Sequence, residues 1–351
     1  MNVTYIDKDK DWQEQPIRQR HGKSVCVTRY GAFGDMIQTS SVLPGLKEKG
    51  YHVCVNTTPK GLDVLRNDPN IDEFLIQYDD HVPNAELDDF WAQIRNSFEK
   101  HVNLSESVEG SLLALQGRHQ WNWTKEFRNM VMNVDYLEGM AAIAGLEETY
   151  SPKFYPNAKE KKWAAAYRKK LGNRNFVVMW SVAGSSVHKV YPHMDAVLSM
   201  VLEREPDTRF ILVGDTLSMI GEVNWEKHPK VLCKSGDWEI RESLAIAQLC
   251  DMVCGPETGM MNVVSHEPMP KGLILSHSTP ENIGGNWINT DVFVPQNVDC
   301  YPCHKLHFGF DTCKRDESTG CSACASSIPP EWIAESIVSE IKERNSQRVA
   351  A

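Results

Sequence analysis

No run of about 18 apolar residues occurs in this chain, so no membrane-crossing helix is expected. Residues 2–23 are polar and charged and lack an apolar h-region, so they do not read as a signal peptide. Residues 1–22 are expected to be a loosely held extension, and the protein to be cytoplasmic. Positive charge is scarce: 37 Lys and Arg stand against 47 Asp and Glu, a net charge of −10, with a pI near 5.7. Duplex DNA calls for a basic surface, so this balance argues against a polyanion partner. Short repeats and low-complexity segments are also missing, which excludes solenoids and tails. What remains is an ordinary globular composition, 41% hydrophobic and 24% charged, over 351 residues. That length exceeds one typical core, so two domains are expected.

Cysteine is plentiful, with ten in all. Cys26, Cys54, Cys233, Cys250 and Cys254 sit in or beside apolar runs and read as buried, reduced core residues. Cys300, Cys303, Cys313, Cys321 and Cys324 crowd together near the end of the chain.

The first half alternates strand-like segments (24–29, 51–55, 73–77, 101–104) with helix-like ones (36–49, 60–67, about 106–115, 134–145). Such alternation means βαβ units and a mainly parallel sheet. Residues 150–158, YSPKFYPNA, carry two prolines and read as a linker. The pattern then restarts. Strands are expected at 176–181, 209–214, 252–255 and 272–276, and helices at 160–171, 195–204, 242–250 and 260–266. Residues 329–345 form a well-marked last helix, with prolines at its start and Lys342 and Arg344 near its end. Two α/β halves imply two doubly wound domains facing a cleft.

Four segments fall where strands of such a fold would end. The first is the stretch 24–44, SVCVTRYGAFGDMIQTSSVLP, in which an apolar strand runs into a turn with Gly31 and Gly34, then Asp35, then a helix. Strand, glycine turn and helix bring backbone amides near a phosphate. G-x-x-G-D lacks the third glycine of the dinucleotide fingerprint, however, and an ordinary turn capped by Asp35 fits it equally well. The second is SVAGSSVHKVYP, with Ser181, Gly184, Ser185, His188 and Lys189; the third is GPETGMMN, with Glu257, Thr258, Gly259 and Asn262; the fourth is the Gly/Pro loop SHSTPENIGGNW at 276–287. Ligands of open α/β sheets bind at the carboxyl ends of strands.

Taken in order, these segments resemble the ADP-heptose:lipopolysaccharide heptosyltransferase family, from about Ser24 to the end of the chain. The resemblance rests on R-x-G-A-x-G-D with a following T-S-S-V-L-P-G-L-K helix, a Lys-x-x-Pro after the first strand of the second half, the acidic-Thr-Gly segment, and S-T-P-x-x-I-G-G. It implies the GT-B architecture of two Rossmann-like domains, residues 23–155 on the acceptor side and 159–298 for the nucleotide sugar. A Cys-rich clip at 299–326 and a helix at 329–345 complete the division. It also implies inverting transfer from a nucleotide-diphosphate sugar to a hydroxyl acceptor, a glycan or lipopolysaccharide core, with no catalytic cofactor and with peripheral contact to the inner membrane surface.

Carried over, Asp35 is the general base and Lys189 neutralises the leaving diphosphate. Thr258 and Gly259 hold the diphosphate, while Gly31, Gly34, Ser181, Gly184, Ser185, Glu257 and Asn262 line the substrates. Two residues depart from the family pattern: Glu257 stands where Asp is commoner, and Val190–Tyr191 where Trp is common before the proline. Glu106 and Glu109 either contact the acceptor or are helix acids. Trp121 and Trp123 either stack on a sugar or cover the core edge. His188, His193, His266 and His277 read as polar lining.

In the cysteine cluster, Cys300–Cys303 and Cys321–Cys324 are C-x2-C pairs 17 residues apart, spacing that suits a structural zinc. Reduced core thiols or a disulfide are the alternatives, and Cys313 is either free or a substitute for one of the four. Two competing functions remain at this stage: a glycosyltransferase acting on modified DNA bases, which the acidity opposes, and a non-catalytic binding module on a degenerate transferase fold.

Overall fold

The computed structural model describes residues 2–350. The chain divides into two compact units. One comprises the residues up to Ser111 with Tyr136–Tyr155; the other comprises Leu112–Asp135 with the chain from Pro156 onward.

In chain order the first unit contains β1 (Asn2–Tyr5), β2 (Ser24–Thr28), α1 (Phe33–Thr39), α2 (Leu43–Glu48), β3 (His52–Thr57), α3 (Pro59–Leu65), β4 (Glu73–Ile76), α4 (Leu87–Ser97), β5 (Lys100–Asn103) and α5 (Leu104–Ser111). Its strands form one parallel sheet ordered β1-β4-β3-β2-β5. β2 is buried at every position, as a central parallel strand covered on both faces must be. The first residues are not a loose extension: β1 pairs with β4, and Ile6 and Trp12 are buried in a core with Cys26, Phe90 and Trp91. The Trp12 indole also donates to Glu86 at 2.8 Å.

The single helix expected over 36–49 is two. The Ser40 and Ser41 hydroxyls donate to the carbonyls of Ile37 and Gln38, which closes α1. Pro44 then sits in the first turn of α2, where its missing N–H costs nothing.

After α5 the chain enters the second unit with β6 (Ala114–Leu115) and α6 (Lys125–Met132), then returns to the first with α7 (Tyr136–Ala144). It leaves the first unit for good at Pro156, inside the segment read as a linker. The second unit continues with α8 (Ala158–Lys170), β7 (Phe176–Ser181), α9 (Met194–Arg204), β8 (Thr208–Val213), β9 (Val231–Cys233), α10 (Ile240–Ala247), β10 (Met252–Pro256), α11 (Gly259–Val264), β11 (Lys271–Ile274), β12 (Thr290–Phe293), β13 (Lys305–Leu306), α12 (Ala323–Ser326) and α13 (Pro330–Ala350). Six of these strands make a parallel sheet ordered β12-β11-β10-β7-β8-β9. Counted from β7, that is the 3-2-1-4-5-6 order of a Rossmann sheet, with its switch point between β7 and β10.

α8 opens with a capping box, in which Asn157 accepts from the Glu160 N–H and Glu160 from the Asn157 N–H. Arg241 of α10 also grips the Glu160 carboxylate at 2.6 and 2.8 Å. Along α13, Ile333, Ala334, Ile337, Val338 and Ile341 form a helical stripe buried against the core of β7, β8 and α9. The borrowed segment is stitched to its unit mainly through backbone carbonyls. Lys125 donates to the carbonyls of Asp299 and Tyr301, Arg128 to that of Cys303, and Asn282 to those of Met132 and Val134. β6 pairs with β13.

Candidate functional site

The candidate residues gather at the carboxyl ends of the central strands, β2 in the first unit and β7 and β10 in the second. In the first unit, α1 begins at Phe33, earlier than expected. Asp35 is therefore the third helical residue rather than the N-cap, and its Oδ2 reaches back to the Ala32 N–H at 2.7 Å. Its Oδ1 accepts from Arg29 Nη2 at 2.5 Å. Both oxygens are held, yet the side chain keeps 27% exposure. Gly31 explains how so tight a turn forms. Its φ is +125°, and a Cβ there would lie 2.6 Å from the Asp35 carboxylate. Gly34 lies in the first turn of α1.

Arg29 is the residue that sequence reading passed over, although it stands in the R-x-G-A-x-G-D motif. It is buried at the end of β2 and bridges Asp35 to Glu109 of α5, at 2.5 Å on each side, while also donating to the Leu104 carbonyl. Burial alone would depress its guanidinium, but Asp35 and Glu109 outweigh that and hold it above its ordinary value. Burial in turn raises Glu109 above the usual carboxylate range, against the pull of Arg29. Glu109 thus faces inward and Glu106 is exposed.

In the second unit, Lys189 lies in a short turn after β7, and its ammonium pairs with Glu257 Oε2. Glu257 Oε1 accepts from the Asn262 amide at 3.0 Å. The longer arm of Glu257 is therefore occupied in holding Lys189 to α11. Thr258 precedes α11 in extended conformation, and its hydroxyl does not cap the helix but meets the Ser181 hydroxyl at 2.9 Å. Gly184 permits close approach: a Cβ there would meet Lys189 at 2.8 Å and Thr258 at 3.2 Å. Ser181, Gly184, Lys189, Glu257, Thr258, Gly259 and Asn262 thus form one patch, with Ser185 exposed beside it. A concavity of about 620 Å³ beside β1 and another of about 550 Å³ near Tyr167 contain none of these residues.

Next to Lys189 lies a buried group that the sequence did not reveal as a group. The rings of His188 and His277 stand 4.6 Å apart, and His307 approaches His188 at 6.0 Å. His304 is buried close by, with Ser278 between it and Asn282. Burial drives His188 and His277 well below the ordinary imidazole value and pushes His304 and His307 down to about 4. His193 instead meets the Ser326 carbonyl and His266 the Ser265 hydroxyl. Trp121 packs edge-on against His307 and carries Lys305 over its face. Trp123 packs on Phe127 and His119.

The expected four-thiolate site at Cys300, Cys303, Cys321 and Cys324 is not formed. Among the described residues no group of three or more His, Cys, Asp or Glu is disposed to hold a metal ion, and all ten cysteines are free thiols. The charged groups acting on Cys321 are Arg315 and Asp316. Cys313, not Cys321, is the thiol that interacts with Cys324, Cys303 and Cys300, and burial pushes it up to about 12.

Two Rossmann-like units, each with its candidate residues at strand carboxyl ends, define the GT-B fold of nucleotide-sugar glycosyltransferases. No protein-family model and no curated protein sequence matches the chain. Solved structures share the fold. A glycosyl transferase family 9 protein from Veillonella parvula has 15% identity and a TM-score of 0.62 over 92% of this chain and 97% of its own. The ADP-heptose lipopolysaccharide heptosyltransferase II of E. coli has 12% identity and a TM-score of 0.62 over 92% and 99%. The iron-containing dodecameric glycosyltransferase TibC of enterotoxigenic E. coli has 11% identity and a TM-score of 0.58 over 93% and 80%; it has also been solved in complex with ADP-D-beta-D-heptose.

Proposed function

We propose that the protein is an inverting glycosyltransferase that moves a sugar from a nucleotide-diphosphate donor, of the ADP-heptose type, to a hydroxyl acceptor such as a glycan or lipopolysaccharide core. The observation that carries this reading is Asp35, a carboxylate oriented through both oxygens by Arg29 and the Ala32 N–H yet still partly exposed. Orientation with access is what a general base needs. In the proposed step the acceptor O–H bond breaks and its proton passes to Asp35. The acceptor oxygen bonds to the anomeric carbon, and the bond to the diphosphate breaks with its electron pair remaining on the phosphate oxygen. Charge building on that oxygen is met by Lys189 and by the Thr258 hydroxyl and the backbone N–H groups that open α11. Gly184 leaves room for the diphosphate beside Lys189, Ser181 shares its polar lining, and Glu257 and Asn262 hold the lysine. Support for an ADP-type donor comes from the ligand of TibC. The chemistry needs no cofactor. Cytoplasmic placement and peripheral contact with the inner membrane surface are part of the same proposal; no helix among the described residues is long and apolar enough to cross a membrane.

The test is Asp35→Asn, read by ADP release from ADP-heptose with and without a glycan acceptor. The variant should retain nucleotide binding and lose transfer by at least about 10³-fold, and full activity in it would sink the assignment.

A further inference from the structure

We propose that Glu109 is a positioning residue which, through Arg29, fixes the orientation of Asp35 and leaves the guanidinium still paired when Asp35 takes a proton. The proposal rests on the reading of Asp35 as general base and deepens it.

Three observations carry it. Arg29 is 2% exposed and has a carboxylate on each arm, Asp35 Oδ1 on Nη2 and Glu109 Oε1 on Nη1. Glu109 Oε2 is buried without a hydrogen-bond partner. A half-partnered buried carboxylate is costly, and the Arg29 guanidinium is the cation that holds it. The same helix holds the Asp35 turn from below, since the Tyr30 N–H donates to Ser105 Oγ at 2.6 Å and Arg29 donates to the Leu104 carbonyl at 3.0 Å. β2, α1 and α5 therefore meet at one guanidinium.

The charge arithmetic follows from that geometry. With both carboxylates ionised the trio carries one net negative charge. When Asp35 accepts a proton, Arg29 and Glu109 remain paired and the trio is neutral. Without the Glu109 charge, the same proton uptake would leave a buried guanidinium with no anion, a costly state. Glu109 thus keeps the guanidinium paired through the proton transfer while Arg29 keeps the Asp35 carboxylate aimed. The ionisable groups that act on Arg29 are Asp35, Glu109 and, from α7, Tyr136; those acting on Glu109 are Arg29 and Asp35. The two carboxylates share one guanidinium, so the readout is a macroscopic limb rather than one residue's constant.

The experiment is the pH profile of kcat/KM for ADP release from ADP-heptose in wild type and Glu109→Gln. The account expects the acid limb of the variant about one pH unit lower, the plateau about tenfold lower, and donor KM unchanged. A variant that merely loosens the fold would lower the rate at every pH and leave the limb in place, and that outcome overturns the proposal. Should Glu109→Gln fail to fold, Glu109→Asp keeps the charge but draws the carboxylate back from Arg29. It should leave the limb in place and lower the plateau, and a wild-type plateau would overturn the proposal. Asp35→Asn separates the two levels: full activity there removes the base itself, whereas an inactive Asp35→Asn beside a wild-type profile in Glu109→Gln removes only the role of Glu109.

Discussion

At the scale of single residues, the first unit is organised around a small space. Gly31 turns the chain with φ +125° and leaves its α-carbon against the Asp35 carboxylate. Adding one methyl group strains the backbone and displaces the carboxylate together. Gly31→Ala should lower kcat by about 10²-fold, because a shift of about 1 Å at a catalytic group has that effect, while nucleoside diphosphate binding stays at the wild-type level. Equal loss of binding and turnover would contradict this account of the turn. Asp35 was singled out in the sequence through the resemblance, because a glycine turn followed by aspartate fits an ordinary capped turn equally well. Arg29 and Glu109 were not legible as a pair, because 80 residues separate them and only the fold joins them. Lys189 and Glu257 were both named from their motifs, but their ion pair was hidden for the same reason.

At the scale of elements, continuous apolar runs announced themselves. β2 and β7 are buried throughout and were read almost to the residue. α4 escaped because Asp88 and Asp89 lie in its first turn and only Phe90, Trp91 and Ile94 are its large buried apolar residues. β9, an edge strand, is an apolar run of only three residues, too short to show, and in the edge strand β12 Thr290 and Asp291 cut the apolar run to two. The cysteine segment was read chiefly from its C-x2-C spacing, which does not show that Cys313 interacts with Cys303 and Cys324. Because the charged groups acting on Cys321 are Arg315 and Asp316, Cys321→Ser should change unfolding free energy by no more than about 0.5 kcal/mol. A loss of several kcal/mol, together with loss of bound zinc, would restore the arrangement that the C-x2-C pairs suggested.

For the whole molecule, buried neutral histidines make stability depend on acidity. His188, His277, His304, His307 and His101 all have depressed imidazole values in the fold, with His101, His304 and His307 at about 4. The unfolded chain takes up protons near 6.5, before the folded one does, so stability present above 6.5 is lost as pH falls toward 4. Each group contributes up to about 1.4 kcal/mol per pH unit. Burial also raises Asp68, to about 6, and Glu109, Glu222 and Glu340; these carboxylates work in the opposite direction, against the five rings. Melting temperature should therefore fall steadily between pH 6.5 and 4, and a flat profile would contradict the burial of these rings. The division into two α/β halves was legible from the restart of the strand–helix pattern. The crossing of Leu112–Asp135 into the second unit was not, because it is held chiefly by side chains bonded to distant backbone carbonyls. The central claim, a diphosphate site built on Lys189 and the start of α11, is tested most directly by thermal shift of the full chain against ADP, GDP, UDP, CDP and dTDP. The account predicts that one of them stabilises wild type and Asp35→Asn alike, by about 2.7 kcal/mol at a hundredfold excess over Kd, and that Lys189→Ala loses most of this gain. No stabilisation of the wild-type chain by any of the five, or an undiminished shift in Lys189→Ala, would contradict it.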